Sequence, residues 1–212
     1  MKTILFQGDS ITDMGRVKNT TDLGGGYPRL VAARLGCDYP NDYDFINRGI
    51  SGNRIVDMYA RIKCDIINLK PDYMSLLIGV NDVWHEIGHK NGVDAVKFEK
   101  IYTMLIEEIL EALPNIKIIL FGPYVIQGSG TVATEENPDK WSFFSSEVAK
   151  RAEITKRIAE KFGLTYVSLQ EKFDKAVERT GDGTYWTADG VHPTVVGHEL
   201  IARAWLDAFN TL

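Results

Sequence analysis

The chain alternates between short continuous apolar runs and longer stretches in which apolar residues return every three or four positions. A short apolar, β-branched or aromatic run bounded by small polar residues reads as a buried strand; the longer spacing reads as an amphipathic helix. The first run, Lys2-Thr3-Ile4-Leu5-Phe6, stops at Gln7-Gly8-Asp9-Ser10. Tyr43-Asp44-Phe45-Ile46-Asn47 ends in the turn Arg48-Gly49-Ile50-Ser51-Gly52-Asn53, and Tyr73–Ile78 runs into Gly79-Val80-Asn81-Asp82. Ile116–Phe121 forms a fourth strand and Leu164–Leu169 a fifth.

The helical stretches fall between these runs. Leu30, Val31, Ala33, Arg34 and Leu35 predict a short helix with Pro28 in its first turn and Gly36 as its stop. Val56, Met58, Tyr59, Ile62, Ile66 and Ile67 predict one helix closed before Pro71. Asp94 is the N-cap of a long helix carrying Phe98, Ile101, Leu105, Ile109 and Leu110. Trp141–Phe162 and Val195–Phe209 are further helices, and a short one follows the fifth strand. Tyr124–Lys140 is polar and rich in turn residues; a loop of that length in a compact domain is usually functional or mobile.

Five β-α units without an internal repeat or linker predict a single domain over residues 1–212. The fold class is α/β: a three-layer α/β/α sandwich on a flavodoxin-like, five-stranded parallel sheet. Its parallel sense brings the turns after the first three strands to one edge, where ligands bind in such folds.

Composition narrows the partners. The 212 residues, 44% hydrophobic, suffice for one core. A net charge of -5 argues against nucleic acid and does not suit an anionic membrane. No apolar run nears the roughly 20 residues that span a bilayer, and the N-terminus lacks the features of a signal peptide, so the expected location is cytoplasmic. Cys37 and Cys64 read as reduced core or near-core thiols.

A serine hydroxyl becomes a useful nucleophile when a base takes its proton, most often a histidine held by a carboxylate. The chain has four histidines: His85, His89, His192 and His198. Asp189 precedes His192 by three residues, across Gly190, so a tight turn can fold its carboxylate onto Nδ1 and leave Nε2 for Ser10. The competing reading is a helix-entry turn in which Asp189 is only a cap. An ester hydrolase also needs donors for an oxyanion. Gly52, Asn81 and the Ser10 N–H are candidates, although Gly52 could serve only as a positive-φ turn residue and Asn81 only in an Asx turn.

Gly8-Asp9-Ser10, Gly52 in its turn, Gly79-Val80-Asn81-Asp82 and Asp189-Gly190-Val191-His192 resemble, in order, the four blocks of the SGNH (GDSL-type) hydrolases. The resemblance covers nearly the whole chain. It implies Ser10 as nucleophile, His192 as general base and then acid, Asp189 as its orienter, and Gly52, Asn81 and the Ser10 N–H as the oxyanion hole. It implies the flavodoxin-like sandwich and no cofactor or metal. Within the family the chain looks most like the carbohydrate acetylesterase and short-chain esterase members.

The expected activity is therefore hydrolysis of short acyl esters, acetyl foremost, on carbohydrate or other small alcohols, through an acyl-enzyme. The rivals are a lysophospholipase or thioesterase on the same fold and a non-catalytic module binding acetylated sugar. Asp9, Trp84 and Trp186 are the candidate substrate-binding residues; Tyr124 and Trp141 also lie near strand ends, as sugar-stacking or core aromatics. The partner is a small ester, with neither nucleic acid nor membrane, and the Tyr124–Lys140 loop could be a lid or the contact of a homo-oligomer. His85-Glu86-Ile87-Gly88-His89 matches a zinc-protease pattern, but Gly88 and Asn91-Gly92 argue for a loop there. Ser51 reads as turn structure and His198 as a helix-face residue.

Overall fold

The computed structural model describes all 212 residues. Five parallel strands, β1 (Lys2–Gly8), β2 (Tyr43–Asn47), β3 (Tyr73–Leu77), β4 (Lys117–Gly122) and β5 (Thr165–Ser168), lie in the order β2-β1-β3-β4-β5. Leu5 pairs with Ile46 on one side and with Met74 on the other, so β1 is central to its two neighbours in space.

Both sheet faces are covered, which is why the strands read as near-continuous apolar runs. Ile4, Phe6, Ile119 and Phe121 point into one core, under α2 (Tyr27–Asp38), α8 (Leu169–Thr180) and α9 (Val195–Phe209). Leu5, Met74, Leu76, Ile118 and Leu120 point into the other. That core is closed by α3 (Ile55–Ala60), α4 (Ile62–Asp65), α6 (Ala95–Ala112) and the C-terminal part of α7 (Lys140–Phe162). The remaining elements are α1 (Ser10–Asp13), α5 (Val80–His89) and a single 3-10 turn at Ile67–Leu69. Asp94 caps α6 as expected, accepting the Lys97 N–H at 2.9 Å. No helix is long and apolar enough to cross a membrane.

Three local expectations are corrected. Gly36 does not stop α2, which runs on to Asp38 and closes with the Tyr39 N–H on the Leu35 carbonyl. The stretch from Val56 to Ile67 is not one helix. It breaks at Arg61 (φ -114°, ψ 16°), whose guanidinium is committed to the Asn53 side chain, the Arg48 carbonyl and Asp65. Cys37 and Cys64 are exposed free thiols on helix surfaces, because the core-facing positions of α2 and α4 are taken by Val31, Leu35 and Ile62.

Candidate active site

β1 ends against its neighbours at Gly8, and the chain turns at once into α1. Asp9 caps that helix, its Oδ1 accepting the Ile11 N–H at 3.0 Å. Ser10 thereby becomes the first helical residue at the carboxyl edge of the sheet, its own N–H unbonded within the protein. Its Oγ lies 2.9 Å from His192 Nε2, and His192 Nδ1 lies 2.7 Å from Asp189 Oδ2. The other Asp189 oxygen accepts the N–H groups of Val191 and His192, at 2.9 and 2.8 Å. The carboxylate thus fixes its own turn and partners the histidine at once; it caps no helix, since the N-cap of α9 is Thr194, whose side chain accepts the Gly197 N–H.

Gly190 makes that turn possible. Its φ is +100°, and a Cβ there would stand 2.5 Å from the Ile126 carbonyl oxygen and from Thr131 Oγ1. The turn hangs on residues 124–131. The Ile126 N–H donates to Gly190, the Gly130 N–H to the Asp189 carbonyl, and the Tyr124 hydroxyl to the Val191 carbonyl at 2.7 Å. The first half of the long loop is therefore a buried wedge rather than a lid: Tyr124 and Thr131 are fully buried, with Tyr124 stacked on Phe173.

The strands flanking β1 deliver the donor candidates. Gly52 follows β2 with φ +80°, and its N–H has no acceptor within the protein. Asn81, at the start of α5 after β3, gives one carboxamide N–H to the Asn53 carbonyl at 3.1 Å, which leaves the second free. Asp82 is buried beside it, its carboxylate accepting the Ile55 N–H at 3.1 and 3.2 Å.

Electrostatics separate the acids. Burial pushes the Asp9 and Asp82 carboxyls each up to about 7. Burial would also raise Asp189, but the hydrogen bonds from the His192 ring and the backbone outweigh it and draw its pKa down to about 2. The same hydrogen bond raises the His192 pKa above its ordinary value, against the opposing effect of burial. His85 stands 4.0 Å from where a Gly52 Cβ would be, and burial lowers its pKa, helped by Arg54.

Ser10, Asp189 and His192 are brought into one hydrogen-bonded chain, with Gly52 and Asn81 in the segments that follow the two strands flanking β1. Trp84 belongs with them: its ring lies 5.7 Å from that of His192. Two candidate substrate residues do not. Asp9 is 1% exposed and turned inward, because its carboxylate is the cap of α1. Trp186 is buried in the core under the Asp189 turn, its indole N–H given to Thr180 at 3.0 Å.

The remaining expectations resolve individually. Trp141 lines an open groove of about 530 Å³ between the loop, α7 and α8, with none of the site residues in its wall. His85 and His89 lie on α5, not in a loop; the helix runs through Gly88 because its C-terminal end is set by Lys90 in the left-handed conformation. No group of three or more His, Cys, Asp or Glu is arranged to hold a metal ion. His198 is not a helix-face residue: it is buried, and its Nδ1 accepts the Tyr27 N–H, capping α2 where Gly26 has no side chain to do so. Sequence reasoning passed over Asp13, Asn47, Asp82 and Thr131. The only local signal among them was Asp82, next to Asn81.

The model of the GDSL-like Lipase/Acylhydrolase family matches residues 6–200. An acetylxylan esterase from Geobacillus stearothermophilus is 33% identical over 216 residues, 96% of this chain and 91% of its own. The crystal structure of Axe2, an acetylxylan esterase from the same organism, superposes with a TM-score of 0.83 at 33% identity, covering 98% of this chain and 93% of its own. Solved forms of it include catalytic mutants at a serine, an aspartate and a histidine, the last two three positions apart. A candidate GDSL-like lipase from Parabacteroides merdae superposes with a TM-score of 0.90 at 32% identity, covering 99% of this chain and 95% of its own. With the family model spanning residues 6–200 and these relatives matching along nearly the full length, the chain belongs to the GDSL-like lipase/acylhydrolase family.

Proposed function

We propose that this protein is a serine carboxylic-ester hydrolase that removes short acyl groups, acetyl foremost, from carbohydrate esters. The observation that carries the reading is the chain from Ser10 Oγ to His192 Nε2, 2.9 Å, and from His192 Nδ1 to Asp189, 2.7 Å. Ser10 Oγ attacks the ester carbonyl carbon as its proton passes to His192 Nε2. The charge that develops on the carbonyl oxygen is met by the N–H groups of Ser10 and Gly52 and the free N–H of Asn81. His192 then returns the proton to the departing alcohol, leaving an acyl-enzyme. A water repeats the sequence with His192 as base, releasing the acid and restoring Ser10. Asp189, ionised, holds the imidazole in the tautomer that accepts at Nε2 and offsets the charge of the imidazolium. Every step is assigned to a protein group.

The acetyl-carbohydrate assignment is supported by the similarity to an acetylxylan esterase along almost the whole chain. Trp84 beside His192 supports it too, as a flat ring on which a sugar can stack. The test is one panel: aryl esters of rising acyl length, acetylated xylo-oligosaccharides, glucose pentaacetate and a lysophospholipid. Acetyl esters are expected to be cleaved fastest, with the activity kept in chelator and lost in Ser10→Ala together with fluorophosphonate labelling. Preference for long acyl chains or for the lysophospholipid would overturn the substrate assignment; unlabelled Ser10 in folded protein would overturn the serine mechanism.

A further inference from the structure

Around Gly52 the backbone is held from both sides by side chains. After it, Asn81 binds the Asn53 carbonyl and Asp82 binds the Ile55 N–H. Before it stands Ser51. Its N–H and its hydroxyl both donate to one carboxylate oxygen of Asp13, at 2.9 and 3.0 Å. Asp13 is 5% exposed and is the last residue of α1, the helix that Ser10 begins. One rigid turn of helix therefore carries the candidate nucleophile at its start and grips the neighbour of an oxyanion donor at its end.

The surrounding contacts make the grip specific. The Arg48 and Ile50 N–H groups donate to the Phe6 and Gly8 carbonyls, continuing the β1–β2 pairing to the end of β1 at Gly8. Asn47, buried, donates to the Thr12 carbonyl at 2.7 Å and accepts the Gly49 N–H at 2.9 Å. Arg16 donates to the Gly49 carbonyl at 2.9 Å. The approach is so close that a Cβ on Gly49 would stand 2.5 Å from the Asp13 nitrogen. All of these bonds end at Ile50 or earlier; the Asn53 N–H closes the Ile50–Asn53 turn on the Ile50 carbonyl at 3.1 Å, and within that turn the only side chain that holds Ser51, the residue whose torsions aim the Gly52 N–H, is Asp13.

We propose that Asp13, through Ser51, is a positioning residue of the oxyanion hole, setting the Gly52 N–H against Ser10 Oγ. The inference rests on the serine-esterase reading above and concerns the transition state: the donor must sit where the oxyanion forms, not where the ground-state carbonyl oxygen lies. Loosening the grip should thus lower kcat and leave KM nearly alone. It should also leave His192 untouched, since no contact of Asp13 reaches the Asp189 turn.

The test uses kcat, KM and the pH profile of aryl acetate hydrolysis. Ser51→Ala, at an exposed position, is expected to lower kcat about fivefold, and Ser51→Thr to restore it. Asp13→Ala is expected to lower kcat about a hundredfold, and Asp13→Asn, which keeps an accepting oxygen, to recover to within about tenfold of wild type. KM should stay within about twofold, the acid limb should not move, and the double variant should be no worse than Asp13→Ala, since both act through one contact. Wild-type kcat in Ser51→Ala or in folded Asp13→Ala, additive losses, or a displaced acid limb would overturn the proposal. If Asp13→Ala does not fold, the Ser51 pair decides alone. Activity that survives Ser10→Ala would instead overturn the esterase reading, so the two failures are distinguishable.

Discussion

The proposed oxyanion half of the site and the proposed base half are built differently. Gly52 and Asn81 lie in the turns after β2 and β3, the strands hydrogen-bonded to β1, and Ser10 follows β1 itself. Register along three adjacent strands brings them together, and buried side chains only refine the fit. Asp189 and His192 follow no strand. Their turn is closed by an isolated bridge, Thr187 to Pro193, just before α9, and is held by the wedge at residues 124–131. One half inherits its geometry from the sheet; the other depends on one long-range contact surface.

Charge divides the same way. In the oxyanion half, burial raises Asp9 and Asp82 to about 7 each. In the base half, the hydrogen bonds of Asp189 outweigh its burial and draw it to about 2. The lesson is that a carboxylate is kept charged next to the proposed base, while the structural acids are held where ionisation is costly.

The sharpest way to break this comparison is Asp189→Asn. A loss of about 10⁴-fold in kcat is expected, as the imidazole loses its tautomer and its counter-charge. Because Asp189 raises the His192 pKa, its removal should move the acid limb of the pH–rate profile to lower pH, whereas the wild-type limb should lie above 6.5. An unmoved limb would assign the titration to another group.

Asn81→Ala attacks the other half. The expected loss is about 10²–10³ in kcat with an unmoved acid limb, because an oxyanion donor goes while His192 stays as it was. A shifted limb would mean that the two halves are coupled.

Gly128→Ala probes the wedge. The added Cβ would stand 2.3 Å from the Gly190 nitrogen and 2.4 Å from the Asp189 carbonyl carbon, so the base turn must give way. Displacing it by about 1 Å is expected to cost up to about 10²-fold in kcat, with lower thermal stability. A fully active variant would show that the turn holds without its wedge.

The smallest expected effect is on stability alone. His198, on the helix that follows the base turn, is buried, and desolvation lowers its pKa to about 4. The unfolded chain takes up a proton near 6.5 that the fold refuses until about 4, so stability should be lost as pH falls through that window. The loss is about 2 kcal/mol between pH 7 and 5. Asp9 and Asp82 act with the opposite sign: their raised folded pKa values make the fold bind protons first, so acidification from 7 towards 3.8 relieves their burial. Denaturant melts of wild type and His198→Asn at both pH values isolate the histidine; equal differences would exclude it.

Much of this was legible in the order of residues. The five strands and the bounds of Val195–Phe209 follow from apolar periodicity, a local property that survives folding because each face must be buried, and the flavodoxin-like order of the sheet follows from β-α alternation with right-handed crossovers. Asp189 and His192 were legible for a similar reason: three residues across a glycine suffice for the carboxylate to reach the ring. Other features were decided only by the tertiary structure. Ser10 and His192 are 182 positions apart, and Asp13 and Ser51 are 38 apart. Spacing says nothing about which ring nitrogen meets a hydroxyl or which exposed serine a buried acid holds. Asp9 and Trp186, both close to the chemistry in sequence, turned into a cap and a core residue, because a strand end and a helix entry each bury the side chains that point back beneath them. The types of group that can do the chemistry are local in origin, whereas their mutual distances arise from packing between strands, wedge and helices that no short stretch of the chain contains.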